Sequence, residues 1–282
     1  GFVVSLVALP LGLGLAIASE APPIAGIMSA IVGGITVALL GGSQLTIAGP
    51  GNGLVIVLLS SIALLGGGDL YQGYLFTLAA VVLSGILIFL FGLFRFGALS
   101  EFFPSSALQG MLAAIGLGII SKQIHVMLGI TNATGSPFQL LGQVPKSILY
   151  ILQNASLETL LAVSLGAGSF LILILYSRIR NPVFHLVPAP MWIVLLAIGL
   201  TYYYEYILAV PIPINEALLI KLPENLLSNL PFPDFEKTNT LEFMGVVFSL
   251  TLISCIESLL SIKAVDKLDP LKRRSNVNKD LR

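Results

Sequence analysis

Charged side chains are scarce in this chain of 282 residues, of which only 10% are Asp, Glu, Lys or Arg. A soluble domain carries about 25% charged residues. Hydrophobic residues instead make up 56% of the sequence, and the mean hydropathy is +0.97. This balance excludes an ordinary soluble domain and indicates an integral membrane protein embedded in a lipid bilayer.

The chain also has a single cysteine and no net charge. Cys255 is the single cysteine, which excludes an internal disulfide and a cysteine-based metal cluster. The formal net charge is zero, which argues against binding to nucleic acid. The sequence holds no Ser/His/Asp set, no paired histidines and no phosphate-binding glycine loop. It therefore gives no support to an enzyme or to an ATP-driven pump, and no cofactor is predicted.

Long apolar runs are what the sequence does have, and they recur along its whole length. A full crossing of a bilayer needs about 20 apolar residues. Eight runs are interpreted as spans, the third too short for a full crossing: residues 2–19, 24–40, 51–65, 72–94, 107–127, 157–176, 189–208 and 241–262. Residues 128–157 are polar and broken, which predicts a loop or a surface helix. Residues 210–240 contain five prolines and predict an exposed loop.

The basic residues predict the orientation of the chain. With a cytoplasmic N-terminus and every span crossing, ten of the 14 Lys and Arg residues fall on the cytoplasmic side and four outside. This bias follows the positive-inside rule. We therefore predict a multi-pass protein of the inner cell membrane with its N-terminus in the cytoplasm. Because the chain starts at Gly1 rather than Met and stops in a charged tail, we also expect a piece of a longer protein.

The third apolar run predicts an interrupted membrane segment. Residues 44–48 suggest a short extended strand, residues 49–53 (GPGNG) a helix breaker, and the helix that follows has only about 12 to 15 residues. Its N-terminus is expected near the middle of the membrane, where free N–H groups and the positive end of the helix dipole can hold an anion. The alternative is a re-entrant kink that binds no ligand.

Glu257 is the only acidic residue well inside a predicted span. A charge there costs roughly 2.5–3.5 kcal/mol on insertion scales, so it usually faces a cavity or a partner. Ser254 and Ser261 share its helix face and form a polar stripe with it. The functional interpretations are a cation ligand, a proton acceptor or an acid that organises a substrate site. The alternative is a structural acid that is hydrogen-bonded to the backbone of the third span.

Four motifs follow one another along the chain: ALPLGLGLAIASEAPPIAG at residues 8–26, GGSQLTIAGPGNG at 41–53, FFPSSALQGMLAAIG at 102–116 and CIESLLSIKAVDKLDPLKRRSNVNKDL at 255–281. In content and order they resemble the sulfate permease (SulP) family of inorganic anion transporters, and the bacterial branch most of all. The resemblance covers almost the whole chain.

The resemblance implies an all-α polytopic membrane protein with a seven-plus-seven inverted-repeat fold, similar to uracil permeases. A core domain would move against a gate domain in an elevator-like way. This chain would supply repeat one plus span 8, with a short strand before half-helix 3. The implied divisions are residues 1–100 (core spans 1–4), 101–209 (gate spans 5–7), 210–240 (extracellular loop), 241–262 (core span 8) and 263–282 (cytoplasmic basic segment leading to repeat two). A homodimer and a C-terminal STAS domain are further expectations.

The resemblance also assigns anion-binding positions, residue by residue. The matching positions are Pro50, Gly51, Asn52 and Gly53 in the half-helix motif, and Leu11 and Leu15 in the first span. Relatives often carry a hydroxyl side chain where this chain has Gly51, so Asn52 or the backbone N–H groups would take its place. Many relatives have Gln and an aromatic residue where this chain has Leu11 and Leu15, so this wall is expected to be apolar.

The acid that the family carries in span 8 falls on Glu257. In a sodium-coupled bicarbonate relative, an Asp and a Thr four residues later hold sodium, and the matching pair here is Glu257 and Ser261. The resemblance therefore implies secondary active transport of an inorganic oxyanion of the sulfate or bicarbonate class, coupled to Na⁺ or H⁺. A nucleobase permease of the same fold, an uncoupled anion channel and a non-transporting membrane scaffold are the alternatives.

Overall fold

A computed structural model of the chain describes residues 2–43, 46, 49, 51–96, 105–131, 133–154, 156–179, 184–220, 230–266, 269–271 and 273–281. Within these residues the protein is helical and contains no strand. The helices are α1 (Phe2–Ala18), α2 (Pro23–Leu40), α3 (Val55–Gly66), α4 (Leu70–Leu93), α5 (Ser105–Met127), α6 (Pro137–Gln153), α7 (Leu157–Tyr176), α8 (Ala189–Tyr202), α9 (Leu241–Asp266) and α10 (Val277–Asp280). In this part of the chain, α2, α4, α7 and α9 are long and apolar enough to cross a membrane.

The helices differ from the predicted spans in a few places. Within residues 128–157, where a loop or a surface helix is predicted, the chain forms the helix α6, which begins at a capping box between Ser136 and Gln139. The seventh predicted span divides into α8 and a π-helical turn at Tyr203–Ile207. The strand predicted at residues 44–48 lies outside the described residues, apart from Thr46, which has irregular backbone.

The third apolar run forms a short helix. A 3₁₀ turn at Asn52–Leu54 leads into α3, whose 12 residues are fewer than the roughly 20 that a full crossing needs. Gly67 ends α3 in the left-handed conformation with φ of 58°. Asp69 then caps α4, because its carboxylate accepts hydrogen bonds from the backbone N–H groups of Tyr71 and Gln72.

The chain divides into two compact units, one of residues 1–11 and 116–221 and one of residues 12–115 and 222–282. In the first unit, both histidines bond to the local backbone. The buried Nδ1 of His125 lies 3.0 Å from the carbonyl oxygen of Ser121, and Nε2 of His185 lies 2.6 Å from that of Ile179. The domain limits drawn from the sequence stay a prediction.

The core of the second unit lies where α3, α4 and α9 meet. Its buried side chains are Leu65, Phe76, Ala79, Ala80, Phe243, Val246, Val247 and Leu250. Gly66 and Gly73 allow α3 and α4 to approach closely, since a Cβ at Gly73 would overlap the carbonyl oxygen of Ile62. At the C-terminal end of α3, Nζ of Lys237 donates a hydrogen bond of 2.6 Å to the carbonyl oxygen of Leu65. A cation there complements the negative end of the helix dipole.

The segment after α9 folds back onto the second unit. Asp269 accepts a hydrogen bond of 2.8 Å from Nε of Arg273 and another from the backbone N–H of Leu271. The hydrogen bond from Arg273 is the main reason why the pKa of Asp269 falls to about 2. At the end of the segment, Leu281 is buried against Cys255 and Leu259 of α9.

Candidate functional site

The N-terminal end of the short helix faces α9 at Glu257. The backbone N–H of Gly53, in the 3₁₀ turn before α3, donates a hydrogen bond of 3.0 Å to Oε1 of Glu257. The first N–H groups of a helix have no partner inside the helix, and a carboxylate placed there satisfies one of them and opposes the positive end of the dipole. This is the backbone contact that the sequence offers as the alternative to a functional role for Glu257.

Gly53 is buried, and the Glu257 carboxylate occupies the space that a side chain would need. A Cβ at Gly53 would lie 2.7 Å from Oε2 and 2.8 Å from Cδ of Glu257. Two residues earlier, a Cβ at Gly51 would lie 3.4 Å from the same Oε2 atom, which is an ordinary contact distance. The observed position of the Glu257 carboxylate on the N–H of Gly53 therefore requires glycine at position 53 in particular.

A cavity of about 510 Å³ opens beside this hydrogen bond. Its lining residues are Val37, Gly41, Ser43, Thr46, Gly49, Gly51, Leu54, Ser254, Glu257, Ser258, Ser261, Ile262 and Asp280. Two carboxylates and five hydroxyl groups are among them, and within the described lining no side chain is basic. Carboxylate and hydroxyl oxygens suit a hard cation such as Na⁺. An oxyanion that enters this cavity meets negative charge and needs a compensating positive charge.

The Asp280 carboxylate is a part of this lining that the sequence did not reveal. Its Oδ1 accepts a hydrogen bond of 3.2 Å from the backbone N–H of Gly42, and its Oδ2 accepts one of 3.0 Å from the hydroxyl of Ser258. By sequence it belongs to the cytoplasmic basic segment predicted at residues 263–282, and nothing in the local pattern connects it to a glycine 238 positions earlier. Its place in the motif at residues 255–281 was the only available signal.

Of the residues predicted to bind the anion, Gly51 lines the cavity and Gly53 donates the hydrogen bond to Glu257. Pro50 lies outside the described residues, and so does the side chain of Asn52. Leu15 is half-buried on α1 and is not among the described residues of the lining. The anion-binding roles of all these residues stay predictions.

Leu11, the other residue of the predicted apolar wall, belongs to the first compact unit and is 38% exposed. The predicted coupling residues Glu257 and Ser261 both line the cavity of the second unit, together with Ser254 and Ser258. In the part of the chain that the structure describes, no group of three or more His, Cys, Asp or Glu side chains could hold a metal ion. Glu257 and Ser261 contribute carboxylate and hydroxyl oxygens to this lining, and their coupling roles stay predictions.

All 282 residues of the chain match the family model described as the Sulfate permease family. The putative sulfate transporter YvdB of Bacillus subtilis is 26% identical over 278 residues, which are 98% of this chain and 48% of that protein. The bicarbonate transporter BicA of Synechocystis is 25% identical over 279 residues, which are 98% of this chain and 46% of that protein. The chain therefore spans about half the length of these curated relatives.

A solved structure with a similar fold is the transmembrane domain of a cyanobacterial bicarbonate transporter, BicA. It superposes with a TM-score of 0.75 at 24% sequence identity, covering 98% of this chain and 66% of that chain. This likeness shows the fold alone. Together with the long apolar helices, the relatives indicate a multi-pass membrane protein.

Proposed function

The chain belongs to the sulfate permease family, and from this premise we propose that the whole protein is a secondary active transporter of an inorganic oxyanion of the sulfate or bicarbonate class. The names of these two relatives, a putative sulfate transporter and a bicarbonate transporter, support this substrate class. We further propose elevator-like alternating access in the inner membrane, a cytoplasmic N-terminus, a homodimer and a STAS domain outside this chain. Residues 1–100 and 241–262 would belong to the core domain and residues 101–209 to the gate domain.

The hydrogen bond between the N–H of Gly53 and Glu257 is the observation that supports coupling between a cation and the oxyanion. It places a carboxylate on the N–H group that the sequence assigns to the anion. Anion and carboxylate therefore compete for one donor, and both are negative. A bound Na⁺ ion or a proton neutralises Glu257 and weakens its hold on that N–H, because hydrogen bonds to charged groups are stronger than those to neutral groups.

This competition couples the two ions. When Glu257 is neutralised, the N–H of Gly53 and the neighbouring half-helix backbone become available to the oxyanion. Ser261 lines the same cavity and would supply a hydroxyl ligand to a Na⁺ ion held by Glu257. Without the cation, the carboxylate of Glu257 opposes binding of an anion to the neighbouring N–H groups.

The test is uptake of labelled bicarbonate and sulfate by the full-length protein in proteoliposomes, with an imposed Na⁺ or H⁺ gradient. Glu257→Gln is expected to abolish the response to the gradient while expression stays normal. Glu242→Gln is the matched control, because Glu242 is an exposed acid in the first turn of the same helix. Na⁺-dependent uptake by the wild type would assign a Na⁺ site to Glu257 and Ser261, and pH-driven uptake a proton acceptor.

Two results would contradict the proposal. If Glu257→Gln and the wild type take up anion equally at every pH and Na⁺ concentration, Glu257 has no coupling role. If the wild type shows no uptake under either gradient, the protein is a channel or a scaffold instead. Anion currents that rise steeply with voltage and do not depend on Na⁺ or H⁺ would identify a channel.

A further inference from the structure

The segment of residues 275–281 is seated against the polypeptide that leads into the short helix. The backbone N–H of Asn276 donates a hydrogen bond of 3.2 Å to the carbonyl oxygen of Gly42. The hydroxyl oxygens of Ser275 and Ser43 lie 3.0 Å apart. A Cβ at Gly42 would overlap the carbonyl oxygen of Asn276 and lie 2.8 Å from the backbone nitrogen of Asp280. The two stretches of backbone are therefore in direct contact.

The same segment is anchored to α9 at both of its ends. At the start, the backbone N–H and the hydroxyl of Ser275 donate hydrogen bonds of 2.9 Å and 2.6 Å to the carboxylate of Asp266. At the end, Leu281 is only 5% exposed because it packs on Cys255 and Leu259. Between these anchors, Asp280 has little freedom to move away from the cavity.

The Asp280 carboxylate joins the two elements that carry the candidate site. One of its oxygens accepts a hydrogen bond from the N–H of Gly42, in the stretch before the short helix. The other accepts a hydrogen bond from the hydroxyl of Ser258, which is next to Glu257 in sequence. A carboxylate is suited to this place because it is an acceptor at both oxygens and can take one donor from each side.

We propose that Asp280 is a positioning residue of the cavity, which sets the affinity of the protein for its ions by holding residues 41–43 against the Glu257 face of α9. This inference rests on the proposed transport function. Asp280 acts through its two hydrogen-bonded neighbours rather than through its charge. Removing both hydrogen bonds leaves the N–H of Gly42 and the hydroxyl of Ser258 without this acceptor and loosens the contact between the two walls at the cavity.

Two variants of Asp280 separate position from charge. In Asp280→Asn the amide oxygen can still accept from Gly42, and its NH₂ group can donate to the hydroxyl oxygen of Ser258, so the bridge survives without the charge. In Asp280→Ala the bridge is lost. The loss of one hydrogen bond to a charged group corresponds to about a tenfold change in affinity or more.

The experiment measures the concentrations of anion and coupling cation that give half-maximal uptake by the full-length protein in proteoliposomes. Asp280→Ala is expected to raise them about tenfold, and Asp280→Asn to keep them within about threefold of the wild type. Asp69→Ala is the matched control, because Asp69 likewise accepts two hydrogen bonds in the same unit, both of them from backbone N–H groups, but does not line the cavity. It is expected to lower thermal stability and leave both concentrations unchanged.

An Asp280→Asn variant as impaired as Asp280→Ala would overturn the positioning role, because the charge would then matter directly. An Asp280→Ala variant with the affinities of the wild type would overturn it as well. An equal effect of Asp69→Ala would overturn it too, because general destabilisation would then explain the loss of affinity.

A second measurement tests the placement of the segment without transport. Ser43→Cys and Ser275→Cys are combined in a Cys255→Ser background, where the two new thiols are the only ones in this chain. We expect the two thiols to form an intramolecular disulfide. The disulfide would prevent labelling by a maleimide, and a reductant would restore the labelling. Thiols that stay free overturn the placement of Asp280. If the wild type takes up no anion, the proposed transport function is overturned, whereas the disulfide test can still succeed. The two measurements therefore distinguish failure of the transport function from failure of the placement of Asp280.

Discussion

Replacing Gly53 by alanine tests the contact between the short helix and α9 most directly. The new Cβ would lie 2.7 Å from Oε2, 2.8 Å from Cδ and 3.0 Å from Oε1 of Glu257. These atoms form the end of a flexible side chain, so the carboxylate can rotate away while the helix backbone stays in place. The hydrogen bond of 3.0 Å from the Gly53 N–H is then lost.

The size of the effect follows from the chemistry of this hydrogen bond. Hydrogen bonds to charged groups contribute roughly 1.5–3 kcal/mol, and the half-buried position of Glu257 favours the lower end, about 1.5 kcal/mol. One kcal/mol lowers the thermal midpoint by about 2–4 °C in a domain of 150–250 residues. We therefore expect Gly53→Ala to have a thermal midpoint a few degrees below that of the wild type. We also expect its anion uptake to lose the response to the cation gradient.

The assay combines thermal unfolding in detergent with gradient-driven uptake for Gly53→Ala, Glu257→Gln and the double variant. Both single changes act on one hydrogen bond, so their effects should not add, and the double variant should resemble the more impaired single variant. Gly245→Ala on α9 is the control, because a Cβ at that position meets no atom within 4 Å. Fully additive effects, or a Gly245→Ala variant as impaired as Gly53→Ala, would refute the reasoning.

Two further predictions concern the framework of the second unit. Gly73→Ala should lower the free energy of unfolding by about 1–3 kcal/mol, because its Cβ meets the backbone oxygen of Ile62, which cannot rotate away. Gly85→Ala on the same helix meets no atom within 4 Å, so an equal loss of thermal stability would contradict this. Asp269→Asn should lower the thermal midpoint near neutral pH, since the pKa of Asp269 lies at about 2, below its ordinary 3.8. The stabilisation from its hydrogen bonds with Arg273 is complete above the ordinary pKa and is lost as pH falls through about 2. The difference in thermal midpoint between Asp269→Asn and the wild type should therefore shrink toward pH 2. A difference that grows toward pH 2 would contradict this role of the hydrogen bonds.

Much of the helical framework could be predicted because long apolar runs leave few alternatives in a membrane. Backbone polar groups cannot remain unpaired in lipid, so such runs become helices, and residues 157–176 do so at the predicted limits. The short α3 also followed from the sequence, since Pro and Gly at residues 49–51 prevent an earlier start and glycines at 66–68 end it. The helix α6 was harder to predict, because residues 128–157 mix polar and apolar positions.

The candidate site divides between sequence and structure in a similar way. Glu257 stood out because an isolated acid in an apolar run is expensive and therefore informative. Ser254 and Ser261 followed from helical periodicity, and the structure places both in the cavity lining with Glu257. Asp280 gave no such signal, because an acid in a charged segment costs nothing by itself.

The sequence alone determined the class of the protein, most helix limits and the acid in α9, because each depends on local composition and on the period of one helix. The tertiary structure decided which groups meet. Gly53 and Glu257 are 204 residues apart, and Gly42 and Asp280 are 238 residues apart. The first pair depends on the packing of α3, α4 and α9 around a shared buried core, and the second on the packing of the segment after α9, so both depend on many side chains at once.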